Sequence, residues 1–272
     1  MCDLAPMPPR RIGTAELATG VRLPYVEQGD PSGVPLLLLH GLADSWRFFE
    51  PLLAQLPATL HAYAPDQRGH GEADRPASGY APEDFAADAA AFMDAVGLRA
   101  AIVAGQSSGG YIAQRFAVDH PLRTLGLVLI STPRDFRVPA AAGFTSELAA
   151  LKDPVDPAWV RGFTESIAAQ PLAPELLDTL VRESCKPPAR VWQDVFRGLL
   201  EADVPTESGA ISAPTLILWG EQDALCPRSG QERLARAIPG AQLVTYPEAG
   251  HAVACELPAR TATDLAAFAL RI

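Results

Sequence analysis

Short apolar runs alternate with longer amphipathic stretches along this 272-residue chain, and this pattern constrains its fold more than any other sequence feature. The apolar runs have the length of β-strands, and the amphipathic stretches have helical spacing. Such alternation is typical of an α/β fold in which a mostly parallel twisted sheet carries helices on both faces. The strand-like runs are residues 34–41, 60–66, 100–105, 124–131, 215–220 and 241–247. Segments 14–20 and 21–29 are candidates for an antiparallel edge.

Residues 133–211 break the alternation, since they are rich in proline and helical patterns and contain no convincing strand. The predicted organisation is therefore a sheet core of residues 12–132 and 212–272, with a helical cap of residues 133–211 inserted after the sixth strand. Open parallel sheets bind ligands beyond the carboxyl ends of their strands. Because the insertion leaves from such an end, we expect the cap to cover the ligand side of the sheet.

The composition argues against several partners and sites. The formal net charge is -10 at pH 7, so neither nucleic acid nor an anionic membrane surface is an expected partner. No apolar run approaches the ~18 residues that span a bilayer, and MCDLAPMPPRR lacks the apolar core of a signal peptide. Cys185, Cys226 and Cys255 are far apart without a C-x-x-C pair, so we expect reduced thiols, no zinc site and a cytoplasmic chain.

The stretch Gly-Gln-Ser-Ser-Gly-Gly at 105–110 lies between a strand-like run and a helical pattern. It matches G-x-S-x-G with Ser107 at the centre, whereas a central Ser108 would put Gln106 at the first glycine position. Between a strand and a helix, this motif presents a hydroxyl on a strained turn beside free helical N–H groups. We assign Ser107 as candidate nucleophile and Ser108 as donor of a backbone N–H. Alone, the motif fits equally well a glycine-rich turn that only packs a helix on the sheet.

A serine hydroxyl is a weak nucleophile unless a base takes its proton. Among the five histidines, His251 follows the last strand-like run and precedes the last helical pattern, at the sheet edge where a base would meet Ser107. We therefore assign His251 as the candidate base. The other histidines occupy strand ends, loops and a helix end and are predicted to be structural: His40, His61, His70 and His120.

The base needs a carboxylate that fixes its tautomer and stabilises the imidazolium. Asp223 follows the strand-like run 215–220 by a short loop and is the preferred acid. Asp135, which follows the run 124–131, stays open as the alternative. With Asp223, the order along the chain is nucleophile, acid and base, as expected for hydrolases built on this kind of sheet.

Five motifs together resemble the α/β-hydrolase superfamily: LLLLHGL, PDQRGHG, GQSSGG, WGEQD and EAGH. The resemblance covers the predicted sheet core. The run GQSSGGYIAQ, with RGHG upstream, looks like the serine-nucleophile subgroup of small esterases, enol-lactonases and cofactor-free haloperoxidase-like enzymes. This resemblance implies that the backbone N–H of Leu42, which follows His40 and Gly41, joins that of Ser108 in an oxyanion hole.

The reaction that the resemblance implies is hydrolysis of a carboxylic ester or lactone of a small, largely apolar substrate through an acyl-enzyme intermediate. Two alternatives stay open. One is a carbon–carbon bond hydrolase of a ring-cleavage product, although such enzymes commonly carry tryptophan after the catalytic histidine and this chain has Ala252. The other is a ligand receptor on the same fold with little turnover. Acyl transfer by a triad needs neither metal nor organic cofactor, so we expect a small-molecule substrate and no cofactor.

Aromatic residues of the predicted cap are candidates for the substrate pocket. Each one is more often core between helices than pocket wall, yet a cap with this many aromatics is expected to place one or two at the site. The candidates are Phe136, Trp159 and Trp192 of the cap, with Trp46 after the Leu42 turn.

Overall fold

An eight-stranded sheet forms the centre of the protein in a computed structural model that describes residues 10–138 and 141–272. The strands are β1 (Arg11–Glu16), β2 (Arg22–Gln28), β3 (Val34–Leu39), β4 (Leu60–Pro65), β5 (Ala101–Gln106), β6 (Thr124–Ile130), β7 (Thr215–Gly220) and β8 (Gln242–Tyr246). Their order across the sheet is β1-β2-β4-β3-β5-β6-β7-β8. The six strands from β4 to β8 in this order run parallel, which confirms the predicted α/β fold.

The antiparallel edge predicted at the start of the chain is present, with β1 paired to β2 and β2 paired to β4. Its first strand lies earlier than expected, at Arg11–Glu16 instead of within residues 14–20. The later residues of that segment turn between the two strands, where Gly20 adopts a φ of 83°. That left-handed conformation suits glycine, which has no Cβ.

Two apolar clusters cover the two faces of the sheet. In β3, Leu37 and Leu39 belong to one cluster while Leu36 and Leu38 belong to the other, as the two-residue period of a strand requires. Strand β5 is buried at every position, which explains its continuous apolar sequence. The sheet is therefore covered on both faces, with its functional groups at the strand ends.

The helices are α1 (Glu50–Leu53), α2 (Pro82–Ala95), α3 (Ser108–Asp119), α4 (Ala141–Ala150), α5 (Pro157–Ile167), α6 (Pro174–Ser184), α7 (Ala189–Glu201), α8 (Pro205–Ser208), α9 (Arg228–Ala237), α10 (Val253–Glu256) and α11 (Pro258–Ala269). Helices α2, α3 and α9 pack on one face of the sheet, and α1, α10 and α11 on the other. The apolar spacing of residues 45–56 in the sequence predicts a helix, but the structure has a 3-10 turn, Trp46–Phe49, followed by the single turn of α1. Within the described ranges, no helix has both the length and the apolar character needed to cross a membrane.

Helices α4 to α8 all lie between β6 and β7 in the chain, within the segment predicted as a cap. Helix α7 meets the loop that follows β4, where Arg190 donates to the main-chain oxygens of Arg75 and Pro76 at 3.0 Å. At the end of α6, Lys186 bridges Glu72 of that loop and Glu183, at 2.8 and 2.7 Å. These contacts attach the helices to the carboxyl edge of the sheet. The boundaries of a separate cap domain, 133–211, stay a prediction.

Candidate active site

Ser107 occupies the turn between β5 and α3, with a φ of 52° and a ψ of -120°. Its N–H donates to Ile130 of the neighbouring strand at 2.9 Å, and its carbonyl accepts from Gly110 and Tyr111 in the first turn of α3. The backbone is therefore held from both sides in a conformation that costs a non-glycine residue about 1–3 kcal/mol. The structure places Ser107 where the sequence predicts a nucleophile.

The small residues around Ser107 are explained by the close approach of neighbouring backbone. A Cβ on Gly109 would lie 2.2 Å from the carbonyl oxygen of Leu39 at the end of β3. A Cβ on Gly105 would lie 2.3 Å from the backbone of Gly109 itself. Only glycine therefore allows helix α3 to start this close to β3 and β5, which keeps the turn tight.

His251 lies on the loop between β8 and α10, and its ring is bonded to the predicted acid. The Nδ1 atom of His251 is 2.9 Å from Oδ2 of Asp223, whose side chain is fully buried. The other oxygen of Asp223 accepts from the N–H groups of Leu225 and Cys226, both at 2.9 Å. These bonds orient the carboxylate towards Nδ1 and leave Nε2 as the nitrogen that can act as a base.

Asp135, the alternative acid, is engaged elsewhere. Its carboxylate accepts from the backbone and the guanidinium of Arg137, at 2.9 Å in each case. The geometry therefore favours Asp223 as the partner of His251.

Three contacts that the sequence did not predict hold the His251 loop. The side chain of Gln106, buried next to Ser107, donates from Nε2 to the carbonyl of His251 at 2.8 Å. The N–H of His251 donates to Ile167 at the end of α5, also at 2.8 Å. Glu256 accepts from the N–H of Gly250 at 3.0 Å and from Ala169 at 2.8 Å. Of these residues, only Gln106 could have been noticed in the sequence, because it directly precedes the serine of the G-x-S-x-G motif.

Ser107 and His251 come from adjacent parts of the same sheet edge, and Gln106 links them. No hydrogen bond joins the Ser107 hydroxyl to the His251 ring in the part of the chain that the structure describes. Catalytic hydrogen bonds are often long in structures without substrate and tighten when substrate binds. A proton relay from Ser107 through His251 to Asp223 would therefore require a hydrogen bond between Ser107 and His251 to form when substrate binds.

The two predicted oxyanion donors belong to the turns that follow β3 and β5, which are neighbouring strands of the sheet. The N–H of Ser108 is the first of helix α3, and the N–H of Leu42 follows the end of β3. Among the hydrogen bonds of the described residues, neither N–H has an acceptor. Two N–H groups without partners beside a strained serine form a suitable place for a developing negative charge.

His40 supports the Leu42 turn as a structural group. Its Nε2 accepts from the N–H of Gln67 at 3.0 Å, which leaves Nδ1 to donate to Gly41 at 2.8 Å. Complete burial lowers the pKa of His40 to about 3, so the ring stays neutral. A buried neutral imidazole with both nitrogens bonded is unavailable as a general base, which agrees with its structural assignment.

Three of the four candidate pocket residues belong to one aromatic cluster. The Phe136 ring lies 5.3 Å from that of Tyr111 on α3, close to Ser107, and the Trp159 ring lies 5.4 Å from that of Trp192. Trp192 is buried inside the cluster. The cluster continues through Phe144, Phe163 and Phe196.

Trp46 lies apart from that cluster, in the apolar core on the other face of the sheet. The guanidinium carbons of Arg47 and Arg10 are 4.5 and 5.4 Å from its ring centre. The side chain therefore packs among core residues and two arginines, and we do not include it in the proposed pocket. Although Trp46 follows the Leu42 turn in the sequence, its ring belongs to a different apolar cluster from the cap aromatics.

One group of possible metal ligands exists among residues 10–138 and 141–272, formed by Asp223, Cys226 and His251. The carboxylate and the ring are bonded to each other, and Cys226 Sγ donates to the carbonyl of Ser131 at 3.4 Å. Burial raises the pKa of the Cys226 thiol well above its usual value, which disfavours the thiolate that a metal needs. The hydrogen bonds account for the cluster, and the absence of a metal stays a prediction.

Comparison with known proteins gives relatives that match most of the chain. A Variovorax paradoxus (strain S110) protein, provisionally named a carbamate hydrolase, RutD, is 32% identical over 246 residues, which cover 85% of this chain and 89% of the relative. A 2-hydroxymuconate semialdehyde hydrolase of Pseudomonas sp. (strain CF600) is 27% identical over 281 residues, covering 97% of this chain and 96% of the relative.

Solved structures show the same architecture. An esterase from Thermogutta terrifontis superposes with a TM-score of 0.79 at 26% identity, covering 96% of this chain and 98% of the esterase. The model of the alpha/beta hydrolase family matches residues 36–265, which run from within β3 past β8 and include all three predicted catalytic residues. This chain therefore belongs to the alpha/beta hydrolase family.

Proposed function

We propose that the protein is a serine hydrolase that cleaves a carboxylic ester or lactone of a small, largely apolar substrate through an acyl-enzyme intermediate. Ser107 is the nucleophile, His251 the general base and acid, and Asp223 the acid that orients His251. The backbone N–H groups of Leu42 and Ser108 form the oxyanion hole. The observation that carries this proposal is the strained backbone of Ser107 at the carboxyl edge of the sheet.

That strain argues for function because glycine adopts a positive φ at lower cost than serine does. Among residues 10–138 and 141–272, two other non-glycine residues have positive φ values, Ala43 at 61° and Ser131 at 45°, and both also follow strands at this edge. Strained residues persist where the surrounding structure imposes them, and they cluster at active sites. At Ser107 the strained residue stands between β5 and α3, next to Gln106, whose side chain bonds to the carbonyl of His251.

The reaction follows from these positions. His251 takes the proton of Ser107 through Nε2 while the serine oxygen attacks the substrate carbonyl, and the oxyanion receives hydrogen bonds from the N–H groups of Leu42 and Ser108. His251 then gives the proton to the departing alcohol, which leaves an ester on Ser107. Water, deprotonated by His251, then attacks the carbonyl of that ester. The bond to the serine oxygen breaks, His251 returns the proton to that oxygen, and the carboxylic acid leaves. Asp223 stabilises the imidazolium in both steps through Nδ1.

The cap aromatics supply an apolar environment for the substrate in this proposal. Phe136 packs on Tyr111 of α3, the helix that follows Ser107, and is therefore our first candidate for the pocket wall. Ligand sites are mostly apolar with few polar groups, which suits an aromatic cluster over a single reactive hydroxyl. The Thermogutta protein is named an esterase, which supports cleavage of an ester, and the Variovorax relative is named a carbamate hydrolase, which supports hydrolysis in general.

The first test compares the wild type with Ser107→Ala on p-nitrophenyl esters from acetate to decanoate. Loss of a triad nucleophile lowers turnover by roughly 10⁶-fold, so we expect the variant to fall to background. Ser108→Ala is the matched control, because it keeps the backbone N–H and should retain turnover within about tenfold. Wild-type turnover in Ser107→Ala would overturn the assignment, and the chain-length profile of the wild type reports the size of the acyl pocket.

A carbon–carbon bond hydrolase is the second candidate, because the Pseudomonas relative matches this chain over nearly its whole length. It predicts cleavage of a vinylogous diketone with almost no turnover of simple esters. If the wild type cleaves neither substrate class but gains thermal stability from a bound ligand, a receptor role replaces both.

A further inference from the structure

Gln106 is the last residue of β5 and carries the only polar side chain of that strand, yet it is 1% exposed. Its Nε2 donates to the main-chain carbonyl of His251 at 2.8 Å. Its Oε1 is buried and has no hydrogen-bond partner among the described residues. A buried acceptor without a partner is costly, and an apolar side chain would fill this position without that cost. The bond to His251 is therefore the feature that explains an amide at this position.

The bond from Gln106 spans the sheet from one strand end to another. His251 follows β8, and the strands β6 and β7 lie between β8 and β5. Neighbouring strands are about 4.8 Å apart, so the ends of β5 and β8 are about 14 Å apart. A base that follows β8 therefore reaches a nucleophile that follows β5 only if its loop leans back across two strands. Among the hydrogen bonds of the described residues, only the one from Gln106 joins the Ser107 turn, residues 105–108, to the histidine loop, residues 247–252.

The peptide groups on both sides of His251 are held by hydrogen bonds. Its N–H donates to Ile167 at 2.8 Å, and its carbonyl accepts from Gln106, also at 2.8 Å. These two bonds fix the direction of the Cα–Cβ bond, and the bond from Nδ1 to Asp223 at 2.9 Å fixes the rotation of the ring. The position of Nε2 follows from all three bonds. Of the three partners, only Gln106 belongs to the strand that leads into Ser107.

Resting on the proposed function, we infer that Gln106 is a positioning residue that sets the distance between Nε2 of His251 and the hydroxyl of Ser107. One peptide bond joins Gln106 to Ser107 and keeps their Cα atoms about 3.8 Å apart, so the amide transmits the position of the nucleophile to the histidine loop. In this role Gln106 takes no part in proton transfer itself. Because proton transfer needs a short contact, a displacement of about 1 Å lowers turnover without weakening substrate binding.

The first test is steady-state hydrolysis of p-nitrophenyl acetate by Gln106→Met, which keeps the length of the side chain and removes the donor. We expect kcat to fall roughly tenfold to hundredfold while KM stays within about threefold. Gln114→Met is the matched control, since Gln114 on α3 is fully buried and its Nε2 is 3.5 Å from the carbonyl of Gly110 in its own helix. It should keep kcat within about twofold. The thermal unfolding midpoint of both variants measures the loss of stability separately from the loss of turnover.

The second test is Gln106→Glu, which replaces the amide by a carboxyl group of the same shape. Burial and the Asp223 carboxylate, bonded to the same histidine, raise the pKa of the introduced group above its usual value. When protonated, this group donates its O–H to the His251 carbonyl, and when ionised it offers only acceptors. We expect the ratio of kcat between Gln106→Glu and Gln106→Met to exceed one at pH 5 and to fall about tenfold by pH 8. The titration of His251 enters both variants, so its main effect cancels in the ratio.

Three outcomes would overturn the role of Gln106. They are a wild-type kcat in Gln106→Met, an equal loss of kcat in Gln114→Met, and a ratio between Gln106→Glu and Gln106→Met that stays at one from pH 5 to pH 8. The proposed function fails by a different result, equal hydrolysis by Ser107→Ala and the wild type. If Ser107→Ala is inactive and one of the three outcomes is found, the proposed function stands and only the positioning role is wrong.

Discussion

At the scale of single residues, burial and hydrogen-bond partners distinguish Asp223 from Asp135 as the carboxylate that can orient His251. Asp223 is buried and bonded to His251 and two backbone N–H groups. Asp135 follows the neighbouring strand but bonds to Arg137 instead. A carboxylate that has lost its water and gained a histidine partner can hold one tautomer of that ring, whereas a half-exposed carboxylate paired to arginine cannot.

We predict that Asp223→Asn lowers kcat by about 10⁴-fold and changes KM little, since the amide favours the wrong tautomer of His251 while the site keeps its shape. The measurement is steady-state kinetics on the best p-nitrophenyl ester. Asp135→Asn is the matched control and should keep turnover near that of the wild type. A loss in Asp135→Asn as large as that in Asp223→Asn would contradict the assignment.

At the scale of elements, the histidine loop between β8 and α10 is held by the segment that follows α5. Ile167 accepts from the N–H of His251, and Glu256 of α10 accepts from Gly250 and Ala169. A Cβ on Gly250 would lie 2.6 Å from the N atom of Ala169, so the two segments pack backbone to backbone. Movement of the helices between β6 and β7 would therefore disturb the position of His251.

We predict that Glu256→Ala lowers kcat by roughly tenfold, because small displacements of a catalytic group are costly. Amide hydrogen exchange at Gly250 and Ala169 should increase in the same variant, which reports the lost hydrogen bonds directly. Glu256→Gln keeps one acceptor and should recover part of both effects.

Glu248→Gln is the control for that experiment, since Glu248 forms an exposed pair with Arg260 on a nearby surface. Unchanged exchange at Gly250 in Glu256→Ala would show that the carboxylate does not hold the loop.

At the scale of the whole molecule, buried titratable groups gather at the carboxyl edge of the sheet. Burial lowers the pKa of His40 to about 3 and that of His70 to about 4, and it raises the pKa of Asp66 to about 6 and of Asp44 to about 7. The histidines favour folding at higher pH, whereas the carboxyl groups favour it at lower pH. A single-site variant is needed to separate these opposing contributions.

We predict that Asp44→Asn becomes more stable relative to the wild type as pH rises from 5 to 8. Asp44 keeps its proton in the folded state up to about pH 7, while the unfolded chain loses it near pH 4. The folded wild type therefore binds more protons in this window, and its stability falls as pH rises.

Because the side chain is half-buried, solvent screens part of this effect, and we expect a relative gain of about 1–2 kcal/mol. Urea denaturation of both proteins at pH 5 and pH 8 measures it. An identical pH response of the two proteins would contradict the raised pKa of Asp44.

The sequence by itself determined the class of fold and the position of Ser107 at the turn between a strand and a helix. Two-residue apolar alternation and helical spacing are local properties, so they place strands and helices without knowledge of their neighbours. The glycines around Ser107 predicted a tight turn between a strand and a helix, and this placed Ser107 at that turn. The short segment around Trp46 was predicted less well, because a 3-10 turn and an α-helix share similar apolar spacing.

Only the tertiary structure decided which distant groups meet. The bond from Gln106 to His251 joins residues 145 positions apart, and its existence depends on the order of strands in the sheet. The same holds for the bond between Asp223 and His251 and for the backbone contacts of Gly250. Such contacts join the ends of different strands, and the position of each strand end depends on how all the intervening elements pack. A local pattern in the sequence therefore does not encode them.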